Sequence, residues 1–282
     1  MQPQPGGADL NRKNVHVSMD RTVRRIESTA SKTQEDDLRR LSAYDDATNI
    51  VLLGDPGAGK THTFREAATR CGGRYITARR FLVEPATKFA GTLFIDGLDE
   101  KRGGRSDRDT VDAVVQKLFA VAPSRVRISC RVADWLGDTD LAALAPYFEQ
   151  SGDPVVLLLG RLSSDEQREV LQTQGLSGSD ADGFLRDAVE RALSDFLENP
   201  QNLIMLQRAV QTGKWPATRK ELFELSTQLM LKEFDRSHAR SGSGIYTVEE
   251  LRLAAGAICA ARLISQAQQM AVLIFACVEM GN

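Results

Sequence analysis

Apolar residues along the chain follow two rhythms. Up to residue 160 they fall in short runs that read as strands, separated by stretches with helical spacing; beyond it the spacing is helical throughout. Asn49-Ile-Val-Leu-Leu53, Arg74-Tyr-Ile-Thr77 and Thr92-Leu-Phe-Ile-Asp96 predict three strands. Val126, Ile128 and Cys130 alternate in a fourth, and Val155-Val-Leu-Leu-Leu159 is a continuous apolar run suited to a strand covered on both faces. Between them, Phe64, Ala67 and Ala68 mark a helix that begins near His62 and stops at Cys71-Gly-Gly73. Val111, Val114, Val115, Leu118 and Phe119 mark another, which Pro123 ends. Strands alternating with helices predict an α/β fold, a three-layer parallel sheet of about five strands.

After Gly160 only helices are expected. Ser163-x-x-Glu166, Thr218-x-x-Glu221 and Thr247-x-x-Glu250 are capping boxes, in which a hydroxyl and a carboxylate satisfy the free N–H groups of a first turn. Phe184, Leu185, Ala188, Val189, Ala192, Leu193, Phe196 and Leu197 form an apolar stripe in the stretch from Asp182. The domains expected are a flexible polar leader over 1–20, the α/β domain over 21–160 and a smaller all-helical domain over 161–282. Within them, Arg21 to Tyr44 reads as a charged helix packed by Ile26, Leu38 and Leu41, and Ser241-Gly-Ser-Gly244 as a flexible joint. The final apolar helix reaches Asn282 with no cap, which fits either a truncated chain or a helix closing the bundle.

The first strand leads into Gly54-Asp55-Pro56-Gly57-Ala58-Gly59-Lys60-Thr61, which is the pattern of a phosphate-binding loop between a strand and a helix. The glycines let successive backbone N–H groups cradle phosphate oxygens, Lys60 brings a mobile positive charge, and the Thr61 hydroxyl is placed to ligate Mg²⁺. The third strand ends in Asp96-Gly-Leu-Asp99-Glu100, whose first carboxylate would lie at the same sheet edge and hold Mg²⁺ through water. Asp99 or Glu100, one turn further on, would polarise the water attacking a γ-phosphate, and spacing leaves open which of them does. Arg131 follows the fourth strand and opens on the same edge, where a guanidinium can touch the γ-phosphate; the plainer reading pairs it with Asp134 or Asp138. ATP is favoured over GTP, because no Asn-Lys-x-Asp segment is present to read a guanine edge.

Composition narrows this little. A 282-residue chain, 42% hydrophobic and 26% charged with a net charge of -2, is ordinary for a soluble protein and demands neither nucleic acid nor an anionic membrane. Cys71, Cys130, Cys259 and Cys277 are widely spaced and read as reduced core residues of a cytoplasmic protein, not as a metal site. The N-terminus lacks the pattern of a secretory signal, and Met270–Val278 is too short to span a bilayer. Leu176-Ser-Gly178 reads as a loop. The basic run Lys101-Arg-Gly-Gly-Arg105-x-x-Arg108 reads as a solvated stretch, with nucleic-acid phosphates as its alternative partner.

The Gly54–Thr61 loop, the Asp96-Gly-Leu-Asp-Glu100 signature, Ser129-Cys-Arg131 and Glu198-Asn-Pro200 together resemble the NACHT group of STAND ATPases, relatives of AAA+ proteins, over about residues 45 to 235. The resemblance implies a P-loop NTPase sheet of ASCE type. It also implies an ADP/ATP-controlled switch that opens on meeting a protein trigger and forms a homo-oligomer when ATP is bound, with antiviral defence as an associated role. Pro200 would then lie against the adenine and Arg131 would act as the first sensor. The chain departs from full members, which carry a winged-helix domain with a nucleotide-sensing histidine, a long repeat sensor and an effector; His238 stands in a polar stretch. The alternative is an AAA+ motor or loader acting on DNA or protein, for which Arg102, Arg105 and Arg108 are the arginine-finger candidates.

Overall fold

The computed structural model of the protein describes residues 20–26, 38–101, 107–135, 137–211, 220–225 and 247–265, with 213, 215, 216, 218, 227 and 228. Seven strands form one sheet: β1 (Thr22–Arg25), β2 (Leu38–Arg40), β3 (Asn49–Gly54), β4 (Arg74–Thr77), β5 (Thr92–Asp96), β6 (Arg125–Arg131) and β7 (Pro154–Leu159). Their order is β2-β1-β7-β3-β6-β5-β4, and the five strands from β7 to β4 run parallel. This is the expected sheet, extended beyond β7 by β1, antiparallel to β7, and then by β2, antiparallel to β1.

Side-chain alternation along β3 builds both cores. Ile50 and Leu52 point to the face covered by α1 (Lys60–Cys71), where they meet Phe64, Ala67 and Leu157. Val51 and Leu53 point to the other face and join Ile95, Ile128, Leu118 of α3 (Asp107–Val121) and Leu144 of α4 (Asp138–Ser151). Both faces are covered, so every residue of β3 is buried. Burial also takes in Arg127 of β6, which donates to the carbonyls of Thr48 and Ala47 at 2.9 and 2.6 Å.

After Gly160 the helices pack on a core of their own. Val170 and Leu171 of α5 (Ser164–Thr173), Ala188 of α6 (Gly178–Glu190), Phe196 of α7 (Ser194–Leu197) and Leu203 and Leu206 of α8 (Pro200–Gln211) meet in it. The Ser163–Glu166 and Thr247–Glu250 boxes form both of their reciprocal bonds, and the Thr218 hydroxyl caps Glu221 N–H. Thr247 heads α9 (Val248–Ser265). Among the described residues no helix is long and apolar enough to cross a membrane.

Several expectations are corrected. The charged stretch from Arg21 to Tyr44 is not a helix where it is described: Thr22–Arg25 and Leu38–Arg40 are strands, and Leu41–Tyr44 is a single 3-10 turn. Val23 pairs with Leu159 and is fully buried, so the segment follows a period of two that its arginines disguise. The stripe from Phe184 to Leu197 is broken in two, because Ala192 turns to a φ of 56° and Val189 is left exposed. Gly178 opens α6 under a Ser177 cap, so only Leu176 and Ser177 of the expected loop lie outside a helix. Both α4 and the short α2 (Ala78–Val83) lie where no element was expected. The leader before Asp20, the Ser241–Gly244 joint, His238, Arg102, Arg105 and the final apolar stretch lie outside the described residues.

Candidate functional site

Parallel strands bring their carboxyl ends to one edge, and there β3 ends at Gly54, β5 at Asp96 and β6 at Arg131. The loop from Gly54 turns back over this edge and enters α1 at Lys60, so that the positive end of the helix dipole faces the site. Gly57 and Gly59 take left-handed φ values of 75° and 96°, which side-chain-bearing residues rarely adopt. A Cβ on Gly57 would also fall 2.7 Å from Gln201 Cβ and 2.3 Å from Gln201 Oε1. Gly57→Ala is therefore expected to lower stability by about 1–3 kcal/mol, read as a shift of the urea midpoint, and to weaken nucleotide binding at the same time.

Lys60 folds back over the loop, its Nζ donating to the carbonyls of Gly54 at 2.7 Å and Asp55 at 3.1 Å. Burial pushes its ammonium below the ordinary lysine pKa; the charge of Asp99 opposes this and that of Arg131 adds to it. Beside it, Asp96 is held by three hydroxyl donors. Thr61 Oγ1 and Tyr75 OH reach its Oδ2 at 2.7 and 2.8 Å, and Ser129 Oγ reaches its Oδ1 at 2.5 Å while accepting from the Gly97 N–H. Burial and the bond to Asp96 push the Tyr75 phenol up to about 12, so it remains a donor across the physiological range.

Asp99, only 5% exposed, pairs with Arg131: Nε lies 2.8 Å from Oδ2, and the Arg131 backbone N–H donates to Oδ1 at 3.1 Å. Arg131 thus forms an ion pair with Asp99, in the turn that follows β5. The Glu100 backbone lies in the 3-10 turn Leu98–Lys101, and its side chain is outside the described residues.

Two cavities meet at the loop. One, of about 480 Å³, is polar and is lined by Lys60, Thr61, Asp96, Asp99 and Arg131. The other, of about 580 Å³, is mostly apolar and is lined by Val170, Pro200, Ile204 and Met205 with Arg21 and His62. Gly57, Gly59, His62 and Gln201 border both. The helical part grips the loop directly: Asn199 Nδ2 donates to Pro56 O at 3.2 Å and the Gln201 N–H to Gly57 O at 3.3 Å. From sequence, Asn199 stands out only as part of Glu198-Asn-Pro200, and Gln201, which follows it, does not stand out at all.

The structure brings Lys60, Thr61, Asp96, Asp99 and Arg131 to one cleft, with Pro200 on the adjoining one. The strand order, the glycine-bearing turn from β3 into α1 and the aspartate at the end of β5 decide the architecture. The chain has the P-loop NTPase fold. No protein-family model and no curated protein sequence matches it. Among solved structures it is similar to a Walker-type ATPase of Pyrococcus abyssi, at 12% identity over 71% of this chain and 73% of that one, with a TM-score of 0.38. It is also similar to the ORC1 protein of Aeropyrum pernix in complex with DNA, at 16% identity over 67% of this chain and 62% of that one, with a TM-score of 0.40.

The residues of this P-loop cleft fit Mg²⁺ and a polyphosphate. Mg²⁺ takes one or two protein oxygens and fills its octahedron with water and phosphate. Thr61 Oγ1 and Asp96 Oδ2, 2.7 Å apart, supply oxygens of that kind. No group of three or more His, Cys, Asp or Glu forms an all-protein metal cage among the described residues.

Proposed function

We propose that the protein binds ATP with Mg²⁺, hydrolyses it slowly, and uses the exchange of ADP for ATP as a switch of the NACHT and STAND kind. The observation that carries this reading is the convergence of Lys60, Thr61, Asp96, Asp99 and Arg131 on one cleft beside a loop that needs glycine at 57 and 59. Residues 21–160 would form the nucleotide-binding domain and 161–282 the helical one.

Each group has a distinct part. Backbone N–H groups of the Gly54–Thr61 loop donate to the phosphate oxygens, and Lys60 moves its charge from the loop carbonyls to the phosphate tail. Thr61 and Asp96 would hold Mg²⁺, which when bound would neutralise charge on the phosphate tail. Ser129 and Tyr75 keep the Asp96 carboxylate turned toward Thr61. Asp99 or Glu100 orients the attacking water and takes its proton. Arg131 meets the γ-phosphate, so it must leave Asp99 as the substrate is seated; a carboxylate with both oxygens engaged by Arg131 is poorly placed to polarise water. The apolar cavity beside Pro200 takes the nucleoside end.

Slow turnover and a conformational output are favoured by the grip of Asn199 and Gln201 on Pro56 and Gly57, through which a shift of the loop reaches α8. Homo-oligomerisation, a protein trigger and a defence role follow from the resemblance alone. Mass spectrometry of copurifying nucleotide is expected to find ADP, and light scattering to find a larger particle with a slowly hydrolysed ATP analogue than with ADP. Fast ATP turnover stimulated by DNA, with no change of particle size, would favour the motor reading.

A further inference from the structure

Arg21 lies just before β1 at the border of the apolar cavity, and the phosphate chemistry above gives it no part. It is only 2% exposed. Its NH1 donates to the carbonyl of Ala58 inside the Gly54–Thr61 loop at 2.8 Å, and its NH2 to the carbonyl of Gly160 at the end of β7 at 2.7 Å. The Nε lies 3.4 Å from Glu166 Oε1, an ion contact without hydrogen-bond alignment. Glu166, itself 1% exposed, also accepts the N–H groups of Ser163 and Thr22. A guanidinium buried this deeply loses its hydration, and an apolar side chain would fill the same space at less cost. What arginine adds is direction, because its planar fork can fix two carbonyls at once.

That direction bears on phosphate binding. In a trans peptide the C=O and the following N–H point to opposite sides, so a carbonyl of Ala58 drawn toward Arg21 turns the Gly59 N–H away from it. The contact is close: a Cβ on Gly59 would stand 3.2 Å from Arg21 NH1. We propose that Arg21 is a positioning residue for the nucleotide site, holding the Ala58–Gly59 peptide in the orientation that presents the Gly59 amide to phosphate, with Glu166 as its buried counter-charge. The proposal rests on the nucleotide-binding reading of the loop.

Arg21→Lys separates grip from charge, since an ammonium remains beside Glu166 but cannot span both carbonyls. Calorimetry well below the melting temperature is expected to show the Kd for both ATP and ADP raised by about tenfold or more. Glu166→Gln, which leaves the carbonyl bonds of Arg21 in place, is expected to melt earlier yet bind ATP within about twofold of wild type. A purely structural role would lower both melting temperatures and leave both affinities unchanged. A folded Arg21→Lys protein with wild-type affinity overturns the proposal, as does an equal loss of affinity in Glu166→Gln. Should Arg21→Lys not fold, Arg21→Gln combined with Glu166→Gln, which leaves no buried charge, gives the same comparison. Lys60→Ala measured alongside separates the two levels. If it too binds ATP normally, the nucleotide reading fails; if it alone loses ATP, only the role of Arg21 fails.

Discussion

Lys60→Ala is expected to leave a folded protein whose affinity for ATP has fallen by about 100-fold or more, a loss of about 3 kcal/mol. The side chain contributes little to the fold. Among the described residues its Nζ bonds to the Gly54 and Asp55 carbonyls, in a partly exposed setting, so its removal should cost about 1 kcal/mol of stability. Toward a polyphosphate its worth is larger, because the lysine is already partly buried and a charge-assisted bond gains strength there. Calorimetry on the variant, with circular dichroism to confirm its fold, measures both quantities. Unchanged ATP affinity would remove the lysine from the binding account.

Asp99→Ala combined with Glu100→Ala is expected to keep ATP binding within a few-fold and to slow hydrolysis by about 100-fold to 10,000-fold, the range for loss of a positioned general base. Binding should survive because, in the proposed site, the phosphate contacts come from the loop, Lys60 and Arg131. Removing Asp99 also frees Arg131 from its 2.8 Å ion pair, so affinity should hold or rise. Single-turnover release of phosphate measures the chemical step. Wild-type turnover in the double variant would take both carboxylates out of the mechanism, whereas Asp99→Asn and Glu100→Gln measured singly would identify the base.

The parts of the site legible in sequence were those whose signal is local. Gly54–Thr61 and the apolar run before Asp96 carry their geometry in adjacent residues, and the parallel sheet then brings them to one edge. The Ser163–Glu166 box likewise formed as its spacing implied. What escaped was set by distant partners. Thr22–Arg25 is a strand because β7 offers it an open edge and Val23 a place in the core, although its arginines suggested a charged helix. The break at Ala192 depends on where Leu193 and Phe196 find room between helices, which no periodicity encodes. The link from Asp99 to Arg131 joins residues 32 positions apart and needs the strand order to be seen. Tyr75, on the outermost strand, gave no sign of its bond to Asp96.

The most direct measurement is a crystal structure with Mg²⁺ and a slowly hydrolysed ATP analogue. The expected result places the phosphate tail within about 3 Å of Lys60 and the loop amides, the metal beside Thr61 and Asp96, and Arg131 moved from Asp99 to the γ-phosphate. A triphosphate bound away from this edge, or one bound here with the metal far from Asp96, would contradict it.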